Sequence, residues 1–220
     1  MCNEQRLLLI RHGETVGNLE QIAHGQTESP LNDRGIAQAH ATGEFVARSN
    51  HRFNKIYTSP LSRAKDTGSI INKNLDIAFE VEEGLIEGFL GILENATYQE
   101  LGEFGFGTKS IRNDDFKEHE GESPNELGER IFSTVNNLRS RHPGENFIIV
   151  SHGAAIAHYL ARALGTRPAF GHQYLMHNAG VSELLFIENK RPKLIVLNEY
   201  KHIPKELQSD PLRRDQHVPE

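Results

Sequence analysis

One stretch near the start of the chain, Leu7 to Asn18, constrains the fold more than any other. It opens with four aliphatic residues, Leu7 to Ile10, a run too short for a buried helix. A run of this length ending at a turn-forming glycine suits a strand covered on both faces, as in a parallel sheet. Arg11, His12 and Gly13 follow at once, so their polar groups fall at the strand's carboxyl end. Open α/β sheets place their ligand sites there. Gly13 lets the backbone turn tightly, which exposes His12 beside the Arg11 guanidinium. A histidine so placed can act as a nucleophile, and an arginine can hold phosphate or carboxylate through paired hydrogen bonds.

The same arrangement recurs. Phe147-Ile148-Ile149-Val150 is a second buried-strand run, and Ser151-His152-Gly153 follows it directly. Lys55 to Thr58 is a third strand, after which Ser59-Pro60 reads as an N-cap with proline at the first helical position. That start puts Arg63 in the first turn of a helix, where the positive dipole end also favours an anion. A solvated surface charge is the commoner fate of arginine, but a strand end adjoining the helix start favours a phosphate contact.

The remaining patterns complete an architecture. Asn32 or Asp33 caps a helix from about Arg34 to Arg48, with Ile36, Ala39, Gly43 and Val46 on its narrow apolar face. Phe79 to Glu82 reads as a short strand. Ser123 with Glu126 fits a capping box, and Leu127, Ile131, Val135 and Leu138 mark the helix face behind it. Ile156, Leu160 and Leu164 define another helix, closed by Gly165. Val181 to Glu188 and Leu194 to Asn198 are strand-like and joined by turn residues, which predicts an antiparallel hairpin. The expected fold is α/β: a three-layer α/β/α sandwich with a mainly parallel central sheet and an antiparallel edge. Residues 1–200 then form a single domain. An insertion at about 88–121, rich in glycine and scattered aromatics, reads as a lid over the site. Residues 201–220 are polar, with Pro204, Pro211 and Pro219, and read as a flexible C-terminal tail.

Charge and composition narrow the function. The net charge of −6 is spread without a basic stripe, so nucleic acid and anionic membrane are poor partners and a small metabolite is the expected one. No apolar run is long enough to span a bilayer. The single cysteine, Cys2, allows no intramolecular disulfide, which favours a reducing, cytoplasmic setting. Oligomeric state stays open, a homodimer included. Twelve histidines raise the question of a metal hydrolase. No His-x-His or His-Glu-x-x-His pair occurs, and the proposed strand ends carry no aspartate, so no metal is expected.

On these residues the chain resembles the histidine phosphatase superfamily, the phosphoglycerate-mutase-like fold. Its Arg-His-Gly-Glu-Thr signature stands at Arg11 to Thr15, its second arginine motif at Leu61 to Thr67, and its Ser-His-Gly at Ser151 to Gly153. The likeness runs from about Arg6 to Phe186. It implies that His12 attacks phosphorus, while Arg11, Arg63 and His152 bind the equatorial oxygens. Asn18, Gly25, Gln26 and Gly153 would line the substrate pocket. Glu87, one glutamate among many on residue pattern alone, becomes by this resemblance the acid that protonates the leaving oxygen. Leu85, Ile86 and Phe89 around it would give that carboxyl an apolar setting. No cofactor is implied.

Three positions depart from the family's usual pattern. Glu28 stands where aspartate is frequent, Asn95 follows Glu94 where glycine is common, and Ala154, Ala155 and Ala157 follow His152 where glycine and arginine often occur. The last departure removes a substrate contact and bears on specificity, leaving the phosphoryl chemistry intact. The resemblance leaves three activities open: phosphatase, cofactor-dependent phosphoglycerate mutase, and a phospho-ligand-binding relative without turnover. Between Gly88 and Phe147 the cations Lys109, Arg112 and Lys117 are offset by Asp114, Asp115, Glu118 and Glu120. A mutase needs a closed site with extra basic groups, so the expectation is a phosphatase.

Overall fold

A strand buried on both faces must satisfy two helix layers at once, and Glu4–Arg11 (β1) does so by strict alternation. In a computed structural model that describes residues 4–209, Leu7 and Leu9 join one hydrophobic cluster while Leu8 and Ile10 join another. Each such side chain contributes about 2 kcal/mol by leaving water. The chain then runs through α1 (Val16–Glu20), α2 (Asp33–Ala47), β2 (Lys55–Thr58), α3 (Ser62–Asn72) and β3 (Ala78–Val81). After the insertion, with α4 (Tyr98–Phe104) and α5 (Phe106–Ser110), come α6 (Pro124–Arg141), β4 (Phe147–Ser151) and α7 (Gly153–Ala163). The hairpin β5 (Val181–Ile187) and β6 (Lys193–Glu199) ends the sheet.

Strand order is β3-β2-β4-β1-β5-β6. The first four strands of that order are parallel, and β5 pairs antiparallel with β1 on one side and with β6 on the other. Leu127, Ile131, Val135 and Leu138 of α6 and Ile156 and Leu160 of α7 pack on the face that holds Leu7 and Leu9. Val46 of α2 and Ala64 and Ile71 of α3 cover the opposite face. The fold is therefore the expected α/β sandwich with an antiparallel edge. Register decides where chemistry gathers. Arg11 lies opposite Ser151, and Thr58 of β2 lies opposite Val150, so three carboxyl ends meet side by side.

Several local expectations change. The cap of α2 is Asn32, whose side chain accepts from the Gly35 amide (2.8 Å). Ile36 leaves the buried face and is exposed. The helix instead buries Gly35, Gln38, Ala39, Thr42, Gly43 and Val46. Gly35 is buried because its backbone presses against that of Gly13 and Glu14: a Cβ on Gly13 would overlap the Gly35 main chain, and one on Gly35 would overlap that of Glu14. Close approach, rather than a left-handed turn, is what Gly13 provides. Helix α3 starts at Ser62, two residues beyond the expected Pro60, and Ser59 is no cap. Its amino end is instead held by a distant carboxylate, since Glu28 accepts from the Ser62 amide and hydroxyl.

The tail expectation also changes for the part described. Ile203 is buried, and Gln38 donates to the Leu207 carbonyl (2.8 Å) and the Ser209 hydroxyl (3.0 Å). Ser209 in turn donates to Glu14 (2.9 Å), so this segment is strapped to α2 and to the signature turn. Gln38 and Thr42 look like solvent-facing residues in the sequence, which hid their role as the strap's partners. Residues 210–220 lie outside the described part.

Two expectations for stability follow. Gly35→Ala should destabilise by about 2 kcal/mol in urea denaturation, because the added methyl has no room. Helix propensity alone predicts a gain of about 1 kcal/mol, so the sign is decisive. The second concerns His202, stacked on Phe45 with its Nε2 2.9 Å from the Thr42 hydroxyl. Burial lowers its pKa to about 4, against a smaller opposing pull from Glu199. The unfolded ring takes a proton below about pH 6.5 while the folded one does not, so stability is present above that pH and lost on acidification toward pH 4. His152 and His158, also depressed by burial, act in the same direction. The urea midpoint should fall between pH 7 and pH 5, and His202→Gln should flatten that fall.

Candidate active site

The three strand ends set the site. His12 stands one residue past β1, its amide bonded to the Ser151 carbonyl (2.9 Å). Its Nδ1 lies 2.7 Å from the Gly13 carbonyl, which can only accept. The proton is therefore on Nδ1 and the lone pair on Nε2. Thr67 holds the turn, accepting from the Gly13 amide (3.0 Å) while donating to the Arg63 carbonyl (2.7 Å).

His152 follows β4, its ring centroid 5.2 Å from that of His12. Arg63 Nε donates to its Nδ1 (3.2 Å), so its proton sits on Nε2, which donates to the Ser59 hydroxyl (2.6 Å). Burial first, and then Arg63, His12 and Arg11, hold this histidine well below its ordinary pKa. Both ring nitrogens are thus engaged by protein groups, and His152 backs the site rather than lining its cavity. The rest of the Arg63 guanidinium donates to the carbonyls of Thr27 (2.8 Å), Gly25 (2.8 Å) and His24 (3.2 Å). Burial works against its charge, and Glu87, Glu28 and Glu94 support it. Arg11 donates to the Met176 carbonyl (2.7 Å) and passes over Gly153, where a Cβ would lie 3.4 Å from its Nε. Gly153 is therefore a packing partner of Arg11 and stands outside the cavity wall.

Glu87 reaches the amino end of α7. Its carboxylate accepts from the amides of Ala154 (3.1 Å), Ala155 (2.8 Å) and Gly88 (2.9 Å). The expected apolar setting does not form: Leu85 faces the core, Phe89 is exposed, and three N–H groups surround the carboxylate. Arg130 of α6 clamps this loop through the carbonyls of Gly84, Ile86 and Glu87 and pairs with Glu122. The facing loop is gathered by Glu94, which accepts from the amides of Gly25, Gln26 and Thr27. Gly25 has no space for a side chain against that carboxylate. Asn18 accepts from Asn178 Nδ2 (3.0 Å) through its Oδ1, which leaves its amide nitrogen to offer.

These groups surround a cavity of about 190 Å³. Arg11, His12, Asn18, Gly25, Arg63 and Glu87 line its floor and walls, while Gln26 lies outside it with its amide side chain on the Glu87 carbonyl (3.0 Å). The insertion roofs it with Tyr98 of α4, Phe106 of α5, Phe116 and His119. Among the described residues, no three histidine, cysteine, aspartate or glutamate side chains are placed to hold a metal ion. Sequence reasoning missed Ser59, Thr67, Glu94 and Arg130. Thr67 closes the second arginine motif and Ser59 precedes it, so position was the available signal. Glu94 and Arg130 are distant in sequence from what they hold and gave none.

Comparison with known proteins bears on this geometry. The chain is 34% identical over 182 residues to the uncharacterized phosphatase PhoE of Bacillus subtilis (strain 168), covering 83% of this chain and 89% of that one. It is 31% identical over 193 residues to the probable phosphoglycerate mutase GpmB of Yersinia pestis (strain Pestoides F), covering 84% and 86%. Phosphoserine phosphatase from Entamoeba histolytica superposes with a TM-score of 0.81 at 28% identity, over 91% of this chain and 100% of that one. The model of the histidine phosphatase superfamily (branch 1) matches residues 7–199, the span that carries every cavity-floor residue described above. The chain belongs to the histidine phosphatase superfamily.

Proposed function

We propose that the protein is a phosphatase that hydrolyses small phosphomonoesters through a phosphohistidine on His12. One observation carries the reading: the Nδ1–Gly13 bond leaves the His12 lone pair on Nε2, at the floor of a cavity shared with Arg11, Arg63 and Glu87. His12 Nε2 attacks phosphorus, and the bond to the leaving oxygen breaks as Glu87 delivers a proton to it. Water then attacks the phosphohistidine, Glu87 takes its proton, and phosphate leaves with His12 restored. Splitting one displacement into two is the benefit of the covalent route. Arg11 and Arg63, with the Asn18 amide, stabilise charge on the equatorial oxygens, and being fixed in advance they cost no reorganisation. His152 acts here as a positioning residue, because its neutral ring braces Arg63 against Ser59.

Hydrolysis is favoured over mutase chemistry by what the roof lacks. Arg11 and Arg63 are the arginine or lysine residues that line the cavity, and the insertion adds none. Lys109 and Lys117 are paired with Glu118 and Glu126 on the surface. A mutase must hold a second acidic group while excluding water, and this roof offers no cation for one. The reading includes a cytoplasmic setting, supported by the lone cysteine, and a small phosphorylated metabolite as partner. Among the described residues no helix is long and apolar enough to cross a membrane.

Acid quench after mixing with phosphate-labelled ester should trap acid-labile label on the wild-type protein. His12→Ala should lose the label and at least about 10³-fold in kcat, equal to roughly 4 kcal/mol of barrier; near wild-type turnover would sink the covalent route. A second measurement separates the two activities on one preparation. Free phosphate should accumulate from several small esters, with little interconversion of 3- and 2-phosphoglycerate whether or not 2,3-bisphosphoglycerate is added. Fast isomerisation that depends on the bisphosphate would establish the mutase instead.

A further inference from the structure

The cavity has two halves of different chemistry, and the upper half reads the alcohol part of the substrate. We propose that this alcohol is uncharged and carries an apolar ring, a substrate class that rests on the phosphatase reading above. The floor holds the charge: Arg11, Arg63 and His12. The roof and sides are built from Tyr98, Phe106, Phe116, Leu127 and Ile22. Phe106 meets Phe116 edge to face, with ring centroids 5.9 Å apart. His119 stacks on Phe116 at 5.3 Å and meets Phe106 edge-on at 5.0 Å. Rings placed in these offset and edge-on arrangements form a stiff surface that rewards another ring.

Among the described residues, a charged substrate would meet no lysine or arginine in this half, where the polar lining consists of hydroxyls such as those of Tyr98 and Ser110, histidine rings and one carboxylate. The Glu122 carboxylate lines the cavity but is paired with Arg130, whose guanidinium is committed to that carboxylate and to three carbonyls. His119 has almost no exposed surface, and neither ring nitrogen makes a hydrogen bond; the Glu122 backbone is near enough to favour protonation but outside bonding geometry. Burial outweighs that pull and lowers the pKa of His119, so the ring is neutral at physiological pH. His158, also on the wall, is neutral for the same reason, with its Nδ1 on the Ala154 carbonyl (2.8 Å). A second carboxylate or phosphate would therefore lose its hydration among aromatic rings and gain no cation. Size adds a limit. An engineered apolar cavity of about 150 Å³ takes benzene, so 190 Å³ suits one ring together with the phosphoryl group.

The test compares esters whose leaving groups are all unactivated alcohols: benzyl phosphate, glycerol 1-phosphate and 3-phosphoglycerate. The expected kcat/KM for benzyl phosphate exceeds that for 3-phosphoglycerate by about 30-fold or more, within the range that apolar pockets achieve. Tyr98→Ala/Phe106→Ala, at two half-exposed positions, should reduce the benzyl-to-glycerol selectivity ratio by about tenfold, mainly through KM. Calorimetry with two inert phosphonates, benzylphosphonate and 2-carboxyethylphosphonate, reads the same preference without turnover. Tighter binding of benzylphosphonate supports the inference even where no ester is hydrolysed, an outcome that would instead overturn the phosphatase reading. Equal or tighter binding of the carboxylate, or equal hydrolysis of the three esters, overturns the inference and leaves the phosphatase reading standing.

Discussion

The parallel pairing of β1 with β4 is the interaction on which the rest depends. It joins residues far apart in sequence, Leu7 with Phe147 through Arg11 with Ser151, and so lays two histidines beside each other. Parallel strands need cover on both faces, and the four helices that supply it bury the two clusters that flank the sheet. Once the strands are in register, each polar group at their ends has its place fixed by backbone geometry. His12 and Ser59 both hang from the β4 main chain, through the carbonyls of Ser151 and Val150. Long-range pairing of this kind makes for slow folding, and it yields a site whose parts cannot drift independently.

A second layer of order is electrostatic and works through the backbone. Arg63 is spent largely on carbonyls of the loop at 24–27, and Glu94 on the amides of that same loop. Between them, one cation and one anion hold a stretch with no regular structure of its own. Arg130 does the same for the loop that carries Glu87. Buried backbone groups must find partners, and here charged side chains supply them more strongly than neutral ones would.

Much of this was legible from residues. The alternation in Leu7–Ile10, the capping box at Ser123 and the spacing of Leu127, Ile131, Val135 and Leu138 each encode a local rule, and the structure obeys them. The residues that meet at the sheet's carboxyl end were readable where they follow a strand directly, as His12 and His152 do. What was not legible depends on contacts between distant segments. Ile36 follows the helical period yet faces solvent, because the Gly13–Gly35 approach and the strap on Gln38 set the rotation of α2. Ser59-Pro60 has the form of a helix start, but His152 takes the serine hydroxyl and the helix begins later. The setting of Glu87 was misread for the same reason, since its amide donors come from Ala154 and Ala155.

The strap has a consequence for how the molecule is made. Glu14, two residues from His12, is buried and takes a hydrogen bond from Ser209 near the other end of the chain. A ribosome releases Glu14 early and Ser209 late. Until Ser209 has emerged, Glu14 in the turn beside His12 lacks one of its donors, and the Gln38 side-chain amide lacks the two acceptors it binds, the Leu207 carbonyl and the Ser209 hydroxyl. Buried groups left without partners are costly, so the turn gains its full rigidity only once the segment with Leu207 and Ser209 has docked. A growing chain thus holds all six strands before it holds a finished site, because Ser209, which braces the turn, follows every strand in sequence.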